Sequence, residues 1–100
     1  MSLDEIETKL KARLPQFAGL NALVKFDFAD KGGLFVDARK TPPVLLREGA
    51  DPVTTIRMGV DDFGRMIGGQ LSPMWAFTTG KLKVQGNMGL AMKLASLLED

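Results

Sequence analysis

The side chains able to do chemistry in this chain are few, and the commonest catalytic types are missing. The sequence contains no His, no Cys and no Tyr. Ser-His-Asp and Cys-His arrangements, thiolate nucleophiles and zinc sites built on thiolates are therefore excluded. The side chains that remain for catalysis are carboxylates, Lys, Arg, Ser and Thr, and this set is a poor basis for an enzyme active site. We expect a protein that is not an enzyme, with no catalytic residues and no cofactor.

Two short patterns are candidates for binding chemistry. Asp61 and Asp62 form a carboxylate pair, but a Mg²⁺ or Ca²⁺ site needs further oxygen ligands at defined spacing. Acidic residues at the N-terminus of a helix are the favoured interpretation, and we expect no metal site. Thr79-Gly80-Lys81 looks like the end of a phosphate-binding P-loop, which requires Gly where Trp75 stands and Ser or Thr where Leu82 stands. The P-loop interpretation therefore fails at both ends.

Composition and charge limit the partners. Of the 100 residues, 45% are apolar and 25% are charged, and the net charge is +1. These values are typical of a globular protein and predict a single domain over residues 1–100. The near-neutral charge disfavours nucleic acid and permits at most transient membrane contact. No run has membrane-spanning length and no basic leader opens the chain, so we expect a cytoplasmic monomer or weak homodimer.

The first half of the chain predicts a helix followed by four strands. Residues 2–14 carry apolar side chains at helical spacing, and Ser2-x-x-Glu5 forms a capping box. The period then changes to two, which predicts a hairpin turning at Gly32-Gly33, a third strand over 44–48 and a fourth over 53–58. One face of this sheet is apolar, and the other carries the charges of Lys25, Asp27, Asp37, Arg39, Arg47 and Arg57.

The second half predicts three helices and a fifth strand. Asp61 or Asp62 caps a short helix, Ser72-Pro73 begins another, residues 81–85 alternate as a strand, and Asn87 caps a helix over 88–98. Apolar residues cover most of the last helix, so we expect it to be buried on more than one side. The elements together predict an α+β fold: one five-stranded, largely antiparallel (mixed) sheet with helices packed on one face.

Methionine is frequent among the apolar side chains of the second half. Met58, Met66, Met74, Met88 and Met92 all fall on predicted inward faces. Methionine is flexible and polarizable, and adaptable binding surfaces over-use it. The pattern is compatible with a cavity for a flexible apolar guest or with gap-filling in an ordinary core, and composition alone favours the core.

The segment from Phe77 to Leu94 combines a Gly-Lys-Leu-Lys stretch, a short strand and an apolar helix, and reads FTTGKLKVQGNMGLAMKL. It resembles the C-terminal signature of the sterol carrier protein type 2 family. In chain order, that signature begins with a phenylalanine, two small residues and Gly-Lys-Leu-Lys. An aliphatic residue, a variable residue and a Gly come next. Either Asn or Asp then follows, then Met and an apolar helix. The resemblance extends more loosely over the whole chain, and the family fold agrees with the elements above.

The resemblance implies an apolar tunnel between sheet and helices. Such a tunnel binds, and by implication transports, a lipid with a long apolar tail, such as a fatty acid, fatty acyl-CoA, phospholipid or sterol, without covalent chemistry. Carried over by position, the lipid-binding wall draws on Phe63, Met66, Ile67, Met74, Trp75, Phe77, Leu82, Val84, Met88, Leu90, Met92 and Leu94.

Two other interpretations stay open. A domain of the same fold can be an accessory module that binds a partner protein or presents a prenylated quinone intermediate to an enzyme. A small enzyme of the hot-dog type is disfavoured, because that fold needs a long central helix early in the chain. The longest buried helix predicted here comes last.

Overall fold

The computed structural model describes residues 2–98, which contain four α-helices and five β-strands. The helices are α1 (Leu3–Lys11), α2 (Val60–Ile67), α3 (Pro73–Thr78) and α4 (Met88–Leu98). The strands are β1 (Leu23–Asp27), β2 (Gly33–Asp37), β3 (Val44–Leu46), β4 (Thr54–Arg57) and β5 (Lys83–Gly86). Short 3₁₀ turns lie at Leu14–Phe17 and Ala29–Lys31. In this part of the chain no helix has both the length and the hydropathy to cross a membrane.

The strands form one mixed sheet in the order β3-β2-β1-β4-β5. Three neighbouring pairs are antiparallel, while β1 and β4 are parallel, with Phe26 opposite Ile56. The chain therefore crosses from one side of β1 to the other between β3 and β4, which leaves β3 and β5 at the edges. All four helices contribute side chains to one core on a single face of the sheet. The predicted α+β class and mixed five-stranded sheet are confirmed.

Aromatic rings fill the core between the middle of the sheet and helices α1 and α2. The ring centroid of Phe26 lies 6.5 Å from that of Phe17 and 5.2 Å from that of Phe63. Phe63 also meets Phe28 edge-on at 5.1 Å. All four rings are essentially inaccessible to solvent. Because tilted and edge-to-face pairs add to the free energy of burial, this cluster is a major source of stability.

Helix α1 has the predicted N-terminus but a different end. The Ser2 hydroxyl accepts a hydrogen bond from the Glu5 N–H at 3.2 Å, which completes the capping box. The helix ends at Lys11, whereas the prediction carried it to residue 14. Pro15 has no N–H and disfavours helical backbone at the residue before it, so the chain continues as a 3₁₀ turn instead.

Helix α2 begins earlier than predicted. Its N-cap is Gly59, whose carbonyl accepts a hydrogen bond from the Phe63 N–H at 2.9 Å. The predicted cap at Asp61 or Asp62 is therefore wrong, and both carboxylates lie in the first turn of the helix. Acidic residues in a first turn still interact favourably with the helix dipole.

The charges predicted for the outer face of the sheet are in place with one exception. β3 ends at Leu46, and the next residue, Arg47, lies within 2.6 Å of an Asp4 carboxylate oxygen on α1. Arg47 therefore sits on the helix-bearing side, because side chains alternate along a strand. On the outer face, the Arg39 guanidinium binds the Asp37 carboxylate at 2.9 Å and lowers the pKa of Asp37 to about 2.

The turn from β5 to α4 is pressed against β4. Gly86 has a φ of +102°, and a Cβ atom there would lie 2.5 Å from the Val53 carbonyl oxygen. The buried Thr54 hydroxyl is within donating distance of the carbonyl oxygens of Gln85 (3.2 Å) and Asn87 (3.0 Å). The Asn87 side chain caps α4 as predicted, accepting a backbone N–H of the first turn at 2.9 Å. The direction in which α4 leaves the sheet is therefore set by this junction.

We predict that Phe63→Ala lowers the free energy of unfolding by about 3–5 kcal/mol, because it empties the aromatic cluster. Trp75→Ala should cost about 1 kcal/mol or less, because the Trp75 side chain is about half exposed. Urea-induced unfolding followed by circular dichroism measures both. Equal losses would contradict the assignment of Phe63 to the core.

We predict that Gly86→Ala destabilises the domain by more than about 2 kcal/mol, because it combines a left-handed backbone with a steric clash against β4. The matched control is Gly89→Ala in the first turn of α4, where the added Cβ meets nothing closer than 3.4 Å. That change should be neutral or stabilising, by up to about 1 kcal/mol. Thermal unfolding of the two variants checks the difference, and similar melting temperatures would refute the close-packed junction.

Candidate functional site

An apolar groove lies between α3, the beginning of β5 and α4. Its volume is about 170 Å³. The nine lining residues are Pro73, Met74 and Phe77 on α3, Leu82 and Val84 around the start of β5, and Ala91, Met92, Ala95 and Ser96 on α4. Ser96 is the one polar residue among them, so the groove offers an apolar guest dispersion contacts and removal from water.

The α3 wall is short and lightly attached. Ser72 caps the helix by accepting the Trp75 N–H at 3.4 Å, and Pro73 occupies the first helical position, as the sequence predicts. Only Pro73 and Ala76 of its residues are buried. Met74 and Phe77 line the groove yet are 55% and 39% exposed. The space between α3, β5 and α4 is therefore an open groove. The enclosed tunnel stays a prediction.

A tight turn joins α3 to β5 and fixes their separation. Gly80 adopts a φ of +80°, which ends α3. The N–H groups of Lys81 and Leu82 then both donate to the Ala76 carbonyl oxygen, at 2.8 and 3.0 Å. The strand consequently starts at Lys83, two residues later than predicted, because these donors are used by α3. Leu82 remains buried beneath the groove.

The α4 wall comes from a helix with two apolar faces. Leu94 and Leu98 are fully buried in the core, while Met92 and Ala95 face the groove. Ala91 contributes to both faces. The prediction that α4 is buried on more than one side is wrong within residues 2–98, because α3 lies across the groove from the second face and leaves Met92 exposed. Its small side chains, Ala91 and Ala95, lie one turn apart and leave the space that forms the groove.

Five of the twelve predicted lipid-binding residues meet in this groove: Met74, Phe77, Leu82, Val84 and Met92. Four others are fully or almost fully buried in the core: Phe63, Met66, Ile67 and Leu94. Leu90 is partly buried against the core. Trp75 and Met88 are exposed outside the groove, at 51% and 45%.

The prediction that five methionines face inward is wrong for three of the five. Met58 and Met66 are buried, whereas Met74, Met88 and Met92 are 43–55% exposed. Sequence reasoning also missed Pro73, Ala91, Ala95 and Ser96 as lining residues. The spacing of Ala91 and Ala95, four residues apart beside Met92, is the signal that was available for the α4 wall.

A second, chemically different hollow of about 200 Å³ lies at the end of the sheet, where β4 ends and β5 begins. Arg57, Lys81 and Lys83 line it together with Gly59 and Gly80 and two apolar residues. Arg57 makes a loose contact with the Asp27 carboxylate at 3.9 Å. Within residues 2–98, Lys81 and Lys83 have no carboxylate within ion-pairing distance.

No group of three or more carboxylates within residues 2–98 is placed to hold a metal ion. Asp62, the second member of the predicted pair, instead lies 3.3 Å from the Arg65 guanidinium, one turn along α2. The carboxylate pair thus belongs to the electrostatics of that helix.

Two curated relatives illustrate the sequence similarity. Hydroxysteroid dehydrogenase-like protein 2 from Bos taurus is 38% identical over 83 residues, which cover 79% of this chain and 20% of that protein. Sterol carrier protein 2 from Homo sapiens is 37% identical over 100 residues, covering 93% of this chain and 18% of that protein. The chain therefore spans about a fifth of the length of these relatives.

Solved structures share the fold. A solution structure of palmitated SCP2L2 from Aedes aegypti superposes with a TM-score of 0.75 at 23% identity, covering 100% of this chain and 96% of that one. The UbiJ-SCP2 ubiquinone synthesis protein has a TM-score of 0.62 at 16% identity, covering 89% of this chain and 76% of that one.

The family model of the SCP-2 sterol transfer family matches residues 3–99. The match takes in every helix and strand described above, including the two helices and the strand that form the groove. The predicted resemblance is confirmed: this chain belongs to the SCP-2 sterol transfer family.

Proposed function

We propose that this domain binds a lipid with a long acyl chain non-covalently and that the chain lies in the groove between α3, β5 and α4. The observation that carries the proposal is the concentration of apolar surface at this place. Within residues 2–98, six large hydrophobic side chains are exposed, and five of them lie on α3 and α4: Met74, Trp75, Phe77, Met88 and Met92. Three of these five, Met74, Phe77 and Met92, line the groove, and exposed apolar side chains gathered around a concavity mark a binding site on a small protein.

The groove must open to receive a whole chain. Its volume of about 170 Å³ is below the roughly 300–1,000 Å³ of typical ligand pockets. Helix α3 has only two buried residues, so displacing it disrupts few core contacts. Met74 and Met92, one on each wall, can also change rotamer at little cost. Opening between α3 and α4 leaves the aromatic core under α1 and α2 intact.

A flexible acyl chain suits this groove better than a rigid sterol. A chain can enter progressively while the walls adapt, whereas a sterol needs its full width at once. Burial contributes about 0.8 kcal/mol per CH₂ group, and association and chain ordering cost several kcal/mol. A Kd on the order of micromolar is the expected result for a sixteen-carbon chain. The polar head stays at the solvent-exposed side, because burying an unpaired charge costs more than the tail gains.

We further propose that the domain itself performs no catalysis. The lining of the groove carries one hydroxyl, on Ser96, and otherwise presents only apolar side chains. The match covers about a fifth of a relative with an enzyme name, so that name does not argue for catalysis by the matching part. The cytoplasmic location, the monomeric or weakly dimeric state and the transient membrane contact stay predictions.

The second candidate function is that of an accessory domain that presents a prenylated quinone intermediate to an enzyme. Its support is the fold shared with the UbiJ-SCP2 ubiquinone synthesis protein and the exposed side chains of Trp75 and Met88 outside the groove. Apolar surface beside a groove, but not part of it, suits a protein partner. In this alternative the groove holds the prenyl tail.

Native mass spectrometry of the protein purified from cells separates the two candidates. We expect a bound species with the mass of a fatty acid or acyl lipid. A bound prenylated quinone precursor would support the accessory role instead. Protein free of any lipid, which also fails to take up added palmitic acid, would refute both.

We predict that Ala95→Phe weakens palmitic acid binding at least about tenfold, because the larger ring fills the groove between α3 and α4. Ala95 is partly exposed, so the change should leave the fold stable. Displacement of a fluorescent fatty acid measures the affinity.

The matched control is Ala12→Phe, the same change at the exposed C-cap of α1, which lies outside the groove. This variant should bind as the unchanged protein does. Unaltered binding by Ala95→Phe, with the variant folded, would place the acyl chain somewhere other than this groove.

A further inference from the structure

The hollow lined by Arg57, Lys81 and Lys83 differs from the two other charged hollows because its charged side chains are all positive. None of its lining residues is a carboxylate. A second hollow beside α1 and α2 mixes Glu5 and Asp61 with Lys9 and Arg65, and a third carries Asp30, Asp61 and Asp62 against Lys31. Three cations facing one concavity repel each other unless an anion lies between them.

The cations are also free to bind. Lys81 and Lys83 are exposed and have no carboxylate partner within residues 2–98. The side chain of Arg57 is 62% exposed, and its contact with Asp27 is long, at 3.9 Å. A guanidinium flanked by two ammonium groups can give charge-assisted hydrogen bonds to several oxygens of one phosphate. We infer that this hollow is an anion site that takes a phosphate group.

The position of the hollow relates it to the groove. Leu82 and Val84 line the groove, while Lys81 and Lys83 line the hollow. Lys83 and Val84 point to opposite sides because side chains alternate along a strand, and Lys81 and Leu82 belong to the turn that precedes it. β5 is an edge strand of the sheet, so no further strand separates the two concavities. A lipid can therefore keep its chain in the groove and pass its phosphate around this edge. This step rests on the proposed function, whereas a free phosphate needs the hollow alone.

The test compares hexadecyl phosphate with 1-hexadecanol, which has the same chain without the phosphate, and with inorganic phosphate. In the Lys81→Gln/Lys83→Gln variant we expect the Kd for hexadecyl phosphate to rise about tenfold, with the Kd for 1-hexadecanol unchanged. Added salt should weaken hexadecyl phosphate binding in the unchanged protein and have little effect in the variant. The matched control, Lys9→Gln/Lys11→Gln on α1, removes the same charge and should behave as the unchanged protein.

Each outcome separates the anion site from the acyl groove. Equal affinity of the Lys81/Lys83 variant and the unchanged protein for hexadecyl phosphate would overturn the anion site, even if 1-hexadecanol binds. Equal weakening by the control pair would also overturn it, because the effect would then be one of net charge. Binding of inorganic phosphate that the variant loses, without any binding of 1-hexadecanol, would support the anion site with a free phosphate as its source and count against the acyl groove.

Discussion

The contact on which the rest of the site depends is the backbone of Gly86 against β4. No side chain separates Gly86 from the Val53 carbonyl, and the buried Thr54 hydroxyl reaches the carbonyl oxygens on either side of it. α4 starts within two residues of this contact. Its direction is therefore set before any of its own side chains pack. A helix leaving at another angle would lose either Leu94 and Leu98 from the core or Met92 and Ala95 from the groove.

The groove exists because the apolar surface of α4 is wider than the core can cover. One face of the helix closes the core with Leu94 and Leu98. The other face lies across the groove from α3, a six-residue helix whose exposed side chains reach across without filling the space. Exposed methionine and aromatic side chains are a liability for solubility, and a protein retains them where function requires them. In the proposed function, the apolar surface that the core leaves uncovered is the surface that receives the lipid.

The edge strand β5 divides two kinds of chemistry. In this strand and the turn before it, Leu82 and Val84 continue the apolar wall, and Lys81 and Lys83 lie beside Arg57 in the hollow. The turn that ties Lys81 and Leu82 to the Ala76 carbonyl fixes both sets at once. A single short segment therefore positions an apolar surface on one side and a cationic one on the other.

The sequence by itself determined the local structure well. The capping box at Ser2 and Glu5, the Ser72-Pro73 start of α3 and the Asn87 cap of α4 are confirmed, because each depends on residues within one helical turn. The signature over residues 77–94 identified the family and contains four of the five groove residues that were predicted, and the looser resemblance outside it added Met74. The helix caps and the family signature can be identified without knowing which elements pack against each other.

Only the tertiary structure decided which apolar residues belong to the core and which to the groove. Phe63 and Met74 look alike in the sequence as apolar residues on a helix. Phe63 meets the rings of Phe26 on β1 and of Phe28 just after it, whereas Met74 remains 55% exposed. The hydrophobic pattern also could not show that β1 pairs with β4 in parallel, or on which side of the sheet Arg47 lies. Periodicity identifies the face of an element on which a residue lies, whereas burial depends on the neighbours that cover that face, and those neighbours come from distant parts of the chain.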